Sequence, residues 1–290
     1  MTLIALATCY DEATLYKDEA PFLAELEAQG FTIFPVVWNS PEVDWTSYDA
    51  VLIRNTWDYH HQADTFRAWL DYLDTNNITV LNPSELMRWN MDKTYLQTLA
   101  QHNVKILPTV FARGQNINLK NTLIENSWSQ AVVKPITSAS GDNTWTITPE
   151  TADESQQQFD WLNETIGMMI QAFAPQIHTE GEYSLVFFSG EYSHAVLKKP
   201  PKDGLFVQEE HGGSTQAITP SDNLIAQAQD ALNVVADITG IMPLYARVDG
   251  LRDNEDFILM EMECIEPELY FLRTDIGAKK FVEAIIEAIS

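Results

Sequence analysis

Asp249 closes the segment YARVD, and Glu261 and Glu263 alternate through LMEMECIEP, residues 259–267. On an extended strand successive side chains point to opposite faces, so Met260, Met262 and Cys264 take one face and the two glutamates the other. Arg247 and Asp249 likewise share a face of the preceding strand, which reads as the antiparallel partner of 257–264. Three carboxylates and a guanidinium on one sheet face are costly without a compensating cation. Mg2+ suits them, because it takes oxygen ligands, keeps waters and bridges carboxylates to phosphates. A solvated strand face or an edge strand defended by charge also fits the pattern. A separation of roughly 6.5 Å along the strand would equally let Glu261 and Glu263 serve as the acid–base pair of a hydrolase.

The anion side lies upstream. Lys134 ends a strand and is followed by Ser138, Ala139, Ser140, Gly141 and Asp142. Small residues let backbone N–H groups turn toward a phosphate, and the hydroxyls add donors. The GxxxxGK[ST] pattern is absent, so this is a different phosphate device or an ordinary serine-rich turn. Lys93 sits on an expected helix, as a cation of the site or a solvated lysine. MIQAFAP (169–175) brings Gln171, Ala172 and Phe173, which can offer backbone groups to the edge of a base and an apolar wall to its face, or form a core strand. Glu182 opens a hairpin, where an acid can hold ribose hydroxyls or sit in water.

RNTWDYHH (54–61) lies just past a strand's carboxyl end, where open α/β sheets place ligands. Arg54 could hold a carboxylate bidentately. Trp57, Asp58 and Tyr59 could shape a small polar pocket, and Glu266 is read with them as substrate-binding. The same aromatics could instead pack one domain on another. The histidines at 60, 61, 102, 178, 194 and 211 show no HExxH-type spacing and read as surface or core residues.

The elements that must position these residues follow from periodicity. Strands are expected at Thr2–Thr8, Phe31–Val37, Ala50–Arg54 and Ile78–Leu81, with one helix closing at Gly30 and another at Ala63–Thr75. Such alternation argues for a parallel sheet with covering helices, and the missing GxGxxG argues against a dinucleotide fold. Ser84 can cap a helix through Met91, and the helical pattern continues through Lys93 to about His102. Short strands follow at Thr109–Ala112 and Ala131–Lys134. Beyond Met169 come a hairpin turning at Ser189-Gly190, a helix from Ser221 to Gly240, strands Leu244–Val248 and Phe257–Cys264, and a last helix Gly277–Ile289. The expectation is an α/β protein, α+β in its later part, divided as 1–83, 84–168 and 169–290.

The chain has 290 residues, enough for two or three domains, with 45% hydrophobic and 20% charged residues, ordinary for a globular protein. Its 17 basic and 42 acidic residues give a net charge of −25, which argues against nucleic acid or anionic membrane as partners. A nucleotide is less excluded, since magnesium and a few lysines can reverse the sign inside one cleft. Two cysteines, Cys9 and Cys264, form no disulfide framework or CxxC site and suit a cytoplasm. The apolar start is too short for a signal peptide, and no stretch reaches membrane-spanning length.

Taken in order, Lys93 in NMDK, Lys134 in VVKP, the small-residue loop, QAFAP, GEYS, HGGS, YARVD and MEMECIEP resemble the ATP-grasp superfamily over residues 84–275. The first region looks like its Rossmann-like pre-ATP-grasp domain. Glutathione-synthetase-like members are similar, and RNTWDYH and MECIEPELYF look like small ligases of the O-ureidoserine cyclo-ligase type. The resemblance implies a cytoplasmic, ADP-producing carboxylate–amine ligase, acting through an acyl phosphate on small-molecule carboxylate and amine substrates. A homo-oligomer stays open, as does a nucleotide-binding module without turnover.

By resemblance, Lys93 and Lys134 hold the α- and β-phosphates of ATP, and loop 137–143, with Ser138, Ser140 and Gly141, closes over the γ-phosphate. Gln171, Ala172 and Phe173 frame adenine and Glu182 binds ribose. Asp249, Glu261 and Glu263 ligate one or two Mg2+ ions, with Mn2+ as a substitute, and Arg247 joins the catalytic groups. Two departures stand out. Glu263 occupies a ligand position that is usually asparagine, and Phe206 in LFVQEEHGG stands where related loops carry arginine. Lys198 or Lys199 is then expected to supply the missing positive charge.

Overall fold

The computed structural model describes residues 2–139, 141–202, 204 and 206–290. Ser140, read above as a phosphate ligand, lies outside them. The first unit runs β1 (Leu3–Thr8), α1 (Ala20–Ala28), β2 (Thr32–Val37), β3 (Ala50–Asn55), α2 (Ala63–Thr75) and β4 (Thr79–Leu81). Its four strands are parallel, in the order β2-β1-β3-β4. Every residue of AVLIRN in β3 is buried, as expected where helices cover both faces of a parallel sheet. Ile4, Leu6 and Leu52 pack with Phe22 of α1 on one face. Ala5, Val51 and Ile53 pack with Phe66, Trp69 and Leu70 of α2 on the other.

Two short helices follow, α3 (Ser84–Asn90) and α4 (Tyr95–Gln101). Pro83, not Ser84, takes the N-cap position of α3, so the expected serine cap is not made. Lys93 sits in the turn between the two helices rather than on one, and its N–H donates to Ile136 O at 2.8 Å. That bond ties the turn to the entry of the phosphate loop.

Next come β5 (Thr109–Phe111), α5 (Leu119–Glu125), β6 (Ala131–Pro135), β7 (Trp145–Ile147), α6 (Ala152–Thr165) and β8 (Met168–Ala172). They build an antiparallel sheet in the order β5-β8-β6-β7. The boundary expected between 168 and 169 therefore needs correction. β8 pairs with β5 and β6, because its apolar residues complete the core formed by Val133, Phe159 and Leu162.

The remainder is α7 (Gln176–Thr179), β9 (Glu182–Phe188), β10 (Glu191–Lys199), β11 (Ser214–Ile218), α8 (Asp222–Thr239), β12 (Tyr245–Asp253), β13 (Asp256–Glu263) and α9 (Gly277–Ile289). Its antiparallel sheet has the order β11-β10-β9-β12-β13. The β9–β10 hairpin turns at Ser189 and Gly190, with φ of 47° and 83°, the left-handed pair that a tight hairpin requires. Ser221 caps α8 by accepting from the Leu224 N–H.

Two side chains lock the parallel sheet onto this one. Tyr245 Oη reaches Ile53 O, Leu81 O and Ile265 O at 3.0, 3.2 and 2.8 Å. The Asn82 amide donates to Tyr245 O and Cys264 O at 2.8 and 2.9 Å and accepts from Leu244 N. Buried backbone groups from three segments are thereby satisfied.

Candidate active site

The floor of the site is the β12–β13 ladder, in which Arg247 faces Glu263 and Asp249 faces Glu261. A register shift between Asp249 and Gly250 interrupts this ladder. It corrects the simple alternation expected for LMEMECIEP. Leu259 and Met262 both belong to the core beneath the sheet, so Met260 and Glu261 must share the cleft face, as a β-bulge allows. The outer edge of β13 is not defended by its charges. Leu259 pairs with the backbone of Lys105 and Leu107, Tyr95 Oη bonds Met262 N and O, and Asn90 bonds Met262 O and Cys264 N.

Arg247 holds the floor together. Its Nε and Nη2 donate to Asp249 at 2.9 to 3.1 Å, Nη2 also donates to Glu263, and Nη1 reaches Glu268 O at 3.2 Å. Ser184 Oγ donates to Asp249 Oδ1 at 2.5 Å. Burial pushes the Asp249 carboxyl up, but Arg247 and Lys198 outweigh it and hold the group below its usual range. Glu263 is pushed up to about 7 by burial, against the pull of Arg247 and with the repulsion of Asp249 and Glu261. Glu261 falls on the other side: Lys93 and Lys134 overcome its burial and keep it ionised.

Lys93 Nζ stands 3.1 Å from Glu261 Oε1 and donates to Ser138 O at 2.6 Å. It therefore joins the acidic floor to the phosphate loop. Lys134 lies near both, and no carboxylate lies within ion-pairing distance of it among the described residues. Burial lowers its pKa despite the acids around it. Glu182 pairs with Lys198 at 2.5 Å, and Asp249 stands 3.8 Å from the same ammonium. Of the two lysines offered as the replacement for an arginine, Lys198 lines the cleft, whereas Lys199 is exposed and does not line it. Alternation along β10 separates them.

These residues open on one cleft of about 820 Å³ that also takes in Trp57, Tyr59, Ser138, Gly141, Gln171 and Glu266. Val132, Ile177, Val207 and Met260 give it an apolar slot beside Gln171. Ala172 and Phe173 do not frame this slot through their N–H groups, which donate to Pro108 O and Gln130 O at 2.9 and 3.1 Å. The Gln171 amide is the polar group here, steadied by Thr109 Oγ1 at 3.1 Å. Gly141, with φ of 72°, lies so close to the Phe206 ring that a Cβ would sit 2.6 Å from it. Phe206 thus packs on the phosphate loop where the resemblance places an arginine.

The 54–59 segment divides. Arg54 is fully buried, bonded to Glu19 at 2.8 to 3.2 Å and to Pro267 O at 2.9 Å. It is a structural tie and does not reach the cleft. Asp58 accepts from Trp38 Nε1 at 2.7 Å and faces a neighbouring cavity. Trp57 does line the cleft, holding Glu266 O through Nε1 at 3.0 Å. Tyr59 lines it while packing on Phe66 with ring centroids 4.9 Å apart. Burial, then Glu263, pushes the Glu266 carboxyl well above the carboxylate range. Ser184, Met260, Glu268 and Tyr270 were not singled out by sequence. Ser184 was the findable one, two residues beyond Glu182 on the same strand face.

A parallel-sheet domain ahead of two antiparallel sheets, with Lys134 of β6 and Lys93 of the preceding turn near carboxylates of β12 and β13, is the ATP-grasp fold. The chain has this fold throughout, and it is most informatively compared with cycloserine-forming enzymes. Residues 4–82 match the family described as D-cycloserine synthetase DcsG, N-terminal domain. The chain is 27% identical over 298 residues to the cycloserine biosynthesis protein DcsG of Streptomyces lavendulae, covering 99% of each. The crystal structure of D-cycloserine synthetase DcsG matches with a TM-score of 0.90 at 26% identity, over 99% of this chain and 100% of that one. D-alanine–D-alanine ligase from Bacillus anthracis shares the fold, with a TM-score of 0.68 at 14% identity over 100% of this chain and 97% of its own. No described helix is long and apolar enough to cross a membrane.

Proposed function

We propose that this chain is an ATP- and Mg2+-dependent ligase that phosphorylates a small, amino-acid-like carboxylate and passes the acyl group to a nitrogen nucleophile. The observation carrying this reading is the meeting of Lys93, Lys134, Arg247, Asp249, Glu261 and Glu263 in one cleft. Among the described residues Lys134 has no carboxylate partner at ion-pairing distance, and it is held in a partly desolvated site, an arrangement suited to an anion brought by the ligand. Lys93 stands ready for the same phosphates while tethering the loop at Ser138. The apolar slot between Val132, Ile177, Val207 and Met260 is shaped for a flat base, with the Gln171 amide to meet its edge. Glu182 is the acid available to ribose hydroxyls.

The donors at Asp249, Glu261 and Glu263 are hard carboxylate oxygens gathered in one cleft, so the set fits Mg2+. When bound, the ion supplies charge neutralisation for phosphoryl transfer. A substrate carboxylate oxygen attacks the γ-phosphorus and ADP departs, leaving an acyl phosphate. The nitrogen nucleophile then adds to the carbonyl carbon. Arg247 and Lys198 stabilise the oxyanion, and phosphate leaves carrying the former carboxylate oxygen and the proton given up by the nitrogen.

Trp57, Tyr59, Glu266 and Glu268 also line the cleft, and acids beside aromatics suit an ammonium-bearing substrate of amino-acid size. The relative named for D-cycloserine supports such a substrate, with cyclisation as one outcome. Thermal melts with a non-hydrolysable ATP analogue test the nucleotide step. Stabilisation should require analogue and Mg2+ together, since a ligand of the folded state raises its stability. An unchanged melt at millimolar concentrations of both would remove the proposal.

A further inference from the structure

A second cluster lies outside the ligase site, in a cavity of about 690 Å³ between the first domain and the phosphate loop. His60 and His61 sit on the single turn Tyr59–Gln62 beyond β3, and Asp142 reaches them from the loop after β6. Asp142 Oδ2 is 3.8 Å from His60 Nε2 and 3.8 Å from His61 Nδ1. One donor atom from each residue falls within 4.8 Å of the other two. Tetrahedral zinc at 2.0–2.2 Å from its ligands requires donors about 3.4 Å apart, so a small contraction closes the set.

His60 carries the stronger sign. Its side chain is only 6% exposed, yet neither ring nitrogen has a hydrogen-bond partner. The Trp57 backbone lies alongside the ring. A buried imidazole with neither nitrogen in a well-formed hydrogen bond is rare and calls for a ligand. The rings of His60 and His61 lie 3.9 Å apart, while His61 at 60% and Asp142 at 41% exposure leave an entry path.

We infer that His60, His61 and Asp142 form a site for a borderline divalent metal of the zinc class, which fastens the phosphate loop to the first domain. Two imidazoles and one carboxylate select Zn2+ or Co2+ over the Mg2+ expected at the all-carboxylate floor. No element of the ligase reading is needed for this assignment.

Titrating the full chain with Co2+ in excess Mg2+ tests it. The expected result is one Co2+ per chain, with the visible absorption of a nitrogen-ligated, low-coordinate ion, and its bleaching by Zn2+. Affinity should fall at least tenfold in both His61→Ala and Asp142→Asn, which alter exposed side chains and whose melts report folding. It should persist in Glu261→Gln. Absence of the absorption, wild-type affinity in the two site variants, or loss confined to Glu261→Gln would overturn the assignment.

Discussion

Lys93 and Glu261 form an ion pair of 3.1 Å between the turn preceding the phosphate loop's sheet and the floor of the cleft. The pair, with Lys134, sets the charge state of Glu261, which burial and the neighbouring Asp249 would have pushed the other way. Crowding predicts that removing this acid relieves repulsion; the observed pair predicts the opposite. Glu261→Gln should cost about 1–3 kcal/mol of stability in EDTA, between the values for exposed and fully buried pairs. It should also lower turnover by at least about a hundredfold. A variant melting at or above the wild-type temperature in EDTA would show that the pair adds nothing.

Lys134 presents the reverse case, an ammonium whose burial lowers its pKa and which no carboxylate among the described residues approaches within ion-pairing distance. Lys134→Met should leave the melt unchanged or raise it slightly, because a partly desolvated charge is removed. The KM for ATP should rise about 10- to 100-fold, equivalent to roughly 1.4–2.8 kcal/mol. Initial-rate kinetics with the melt beside them decide this. An unaltered KM would move the phosphates elsewhere.

The Gly141–Phe206 contact makes loop closure sensitive to a single methyl group. Gly141→Ala adds a Cβ 2.6 Å from the Phe206 ring at a left-handed φ of 72°. Turnover should fall about tenfold or more with little loss of global stability, since strain of this kind is of order 1–3 kcal/mol and local. Adding Phe206→Ala should recover part of the turnover by relieving the clash. A double variant no better than the single one would separate the loop from the ring.

Arg54 marks the limit of what the sequence disclosed. Its position past a strand's carboxyl end suggested a ligand, but its partner Glu19 lies 35 residues earlier, where no local pattern points. Arg54→Met should therefore destabilise by about 3–5 kcal/mol, leaving Glu19 buried and unpaired, while substrate KM in the folded fraction stays within twofold. A large KM change without loss of stability would restore the ligand role. Periodic elements such as Ala63–Thr75 and Gly277–Ile289 were legible to the residue because one face of each helix meets the core. The side placement of Met260 was not, since a bulge is set by the partner strand. His60, His61 and Asp142 were not either, since 80 residues of chain lie between His61 and Asp142.

Glu268 supplies the pH test. Burial, then Asp18, pushes its carboxyl up to about 7 in the folded chain, above the usual carboxylate value near 4.3 in the unfolded one. Below the lower value both states are protonated and the group is neutral to folding. As pH rises from about 4.5 to 7 the unfolded state gains by ionising first, so stability falls. Glu268→Gln should flatten that fall and leave the variant more stable than wild type at pH 7.5, by about 1–2 kcal/mol after allowing for partial exposure. Parallel melt profiles of the two proteins across this window would refute the assignment.

Acyl phosphate formation is the central claim, and oxygen transfer tests it most directly. Small amino acids and O-substituted serines of both hands, labelled with 18O in the carboxylate, are incubated with ATP, Mg2+ and a nitrogen donor. The phosphate released is then examined by mass spectrometry. The account predicts that at least one substrate yields ADP and phosphate carrying a single 18O, and that Glu261→Gln yields neither. Substrate-dependent release of phosphate without 18O would contradict it, because the carboxylate would then never have been joined to phosphorus.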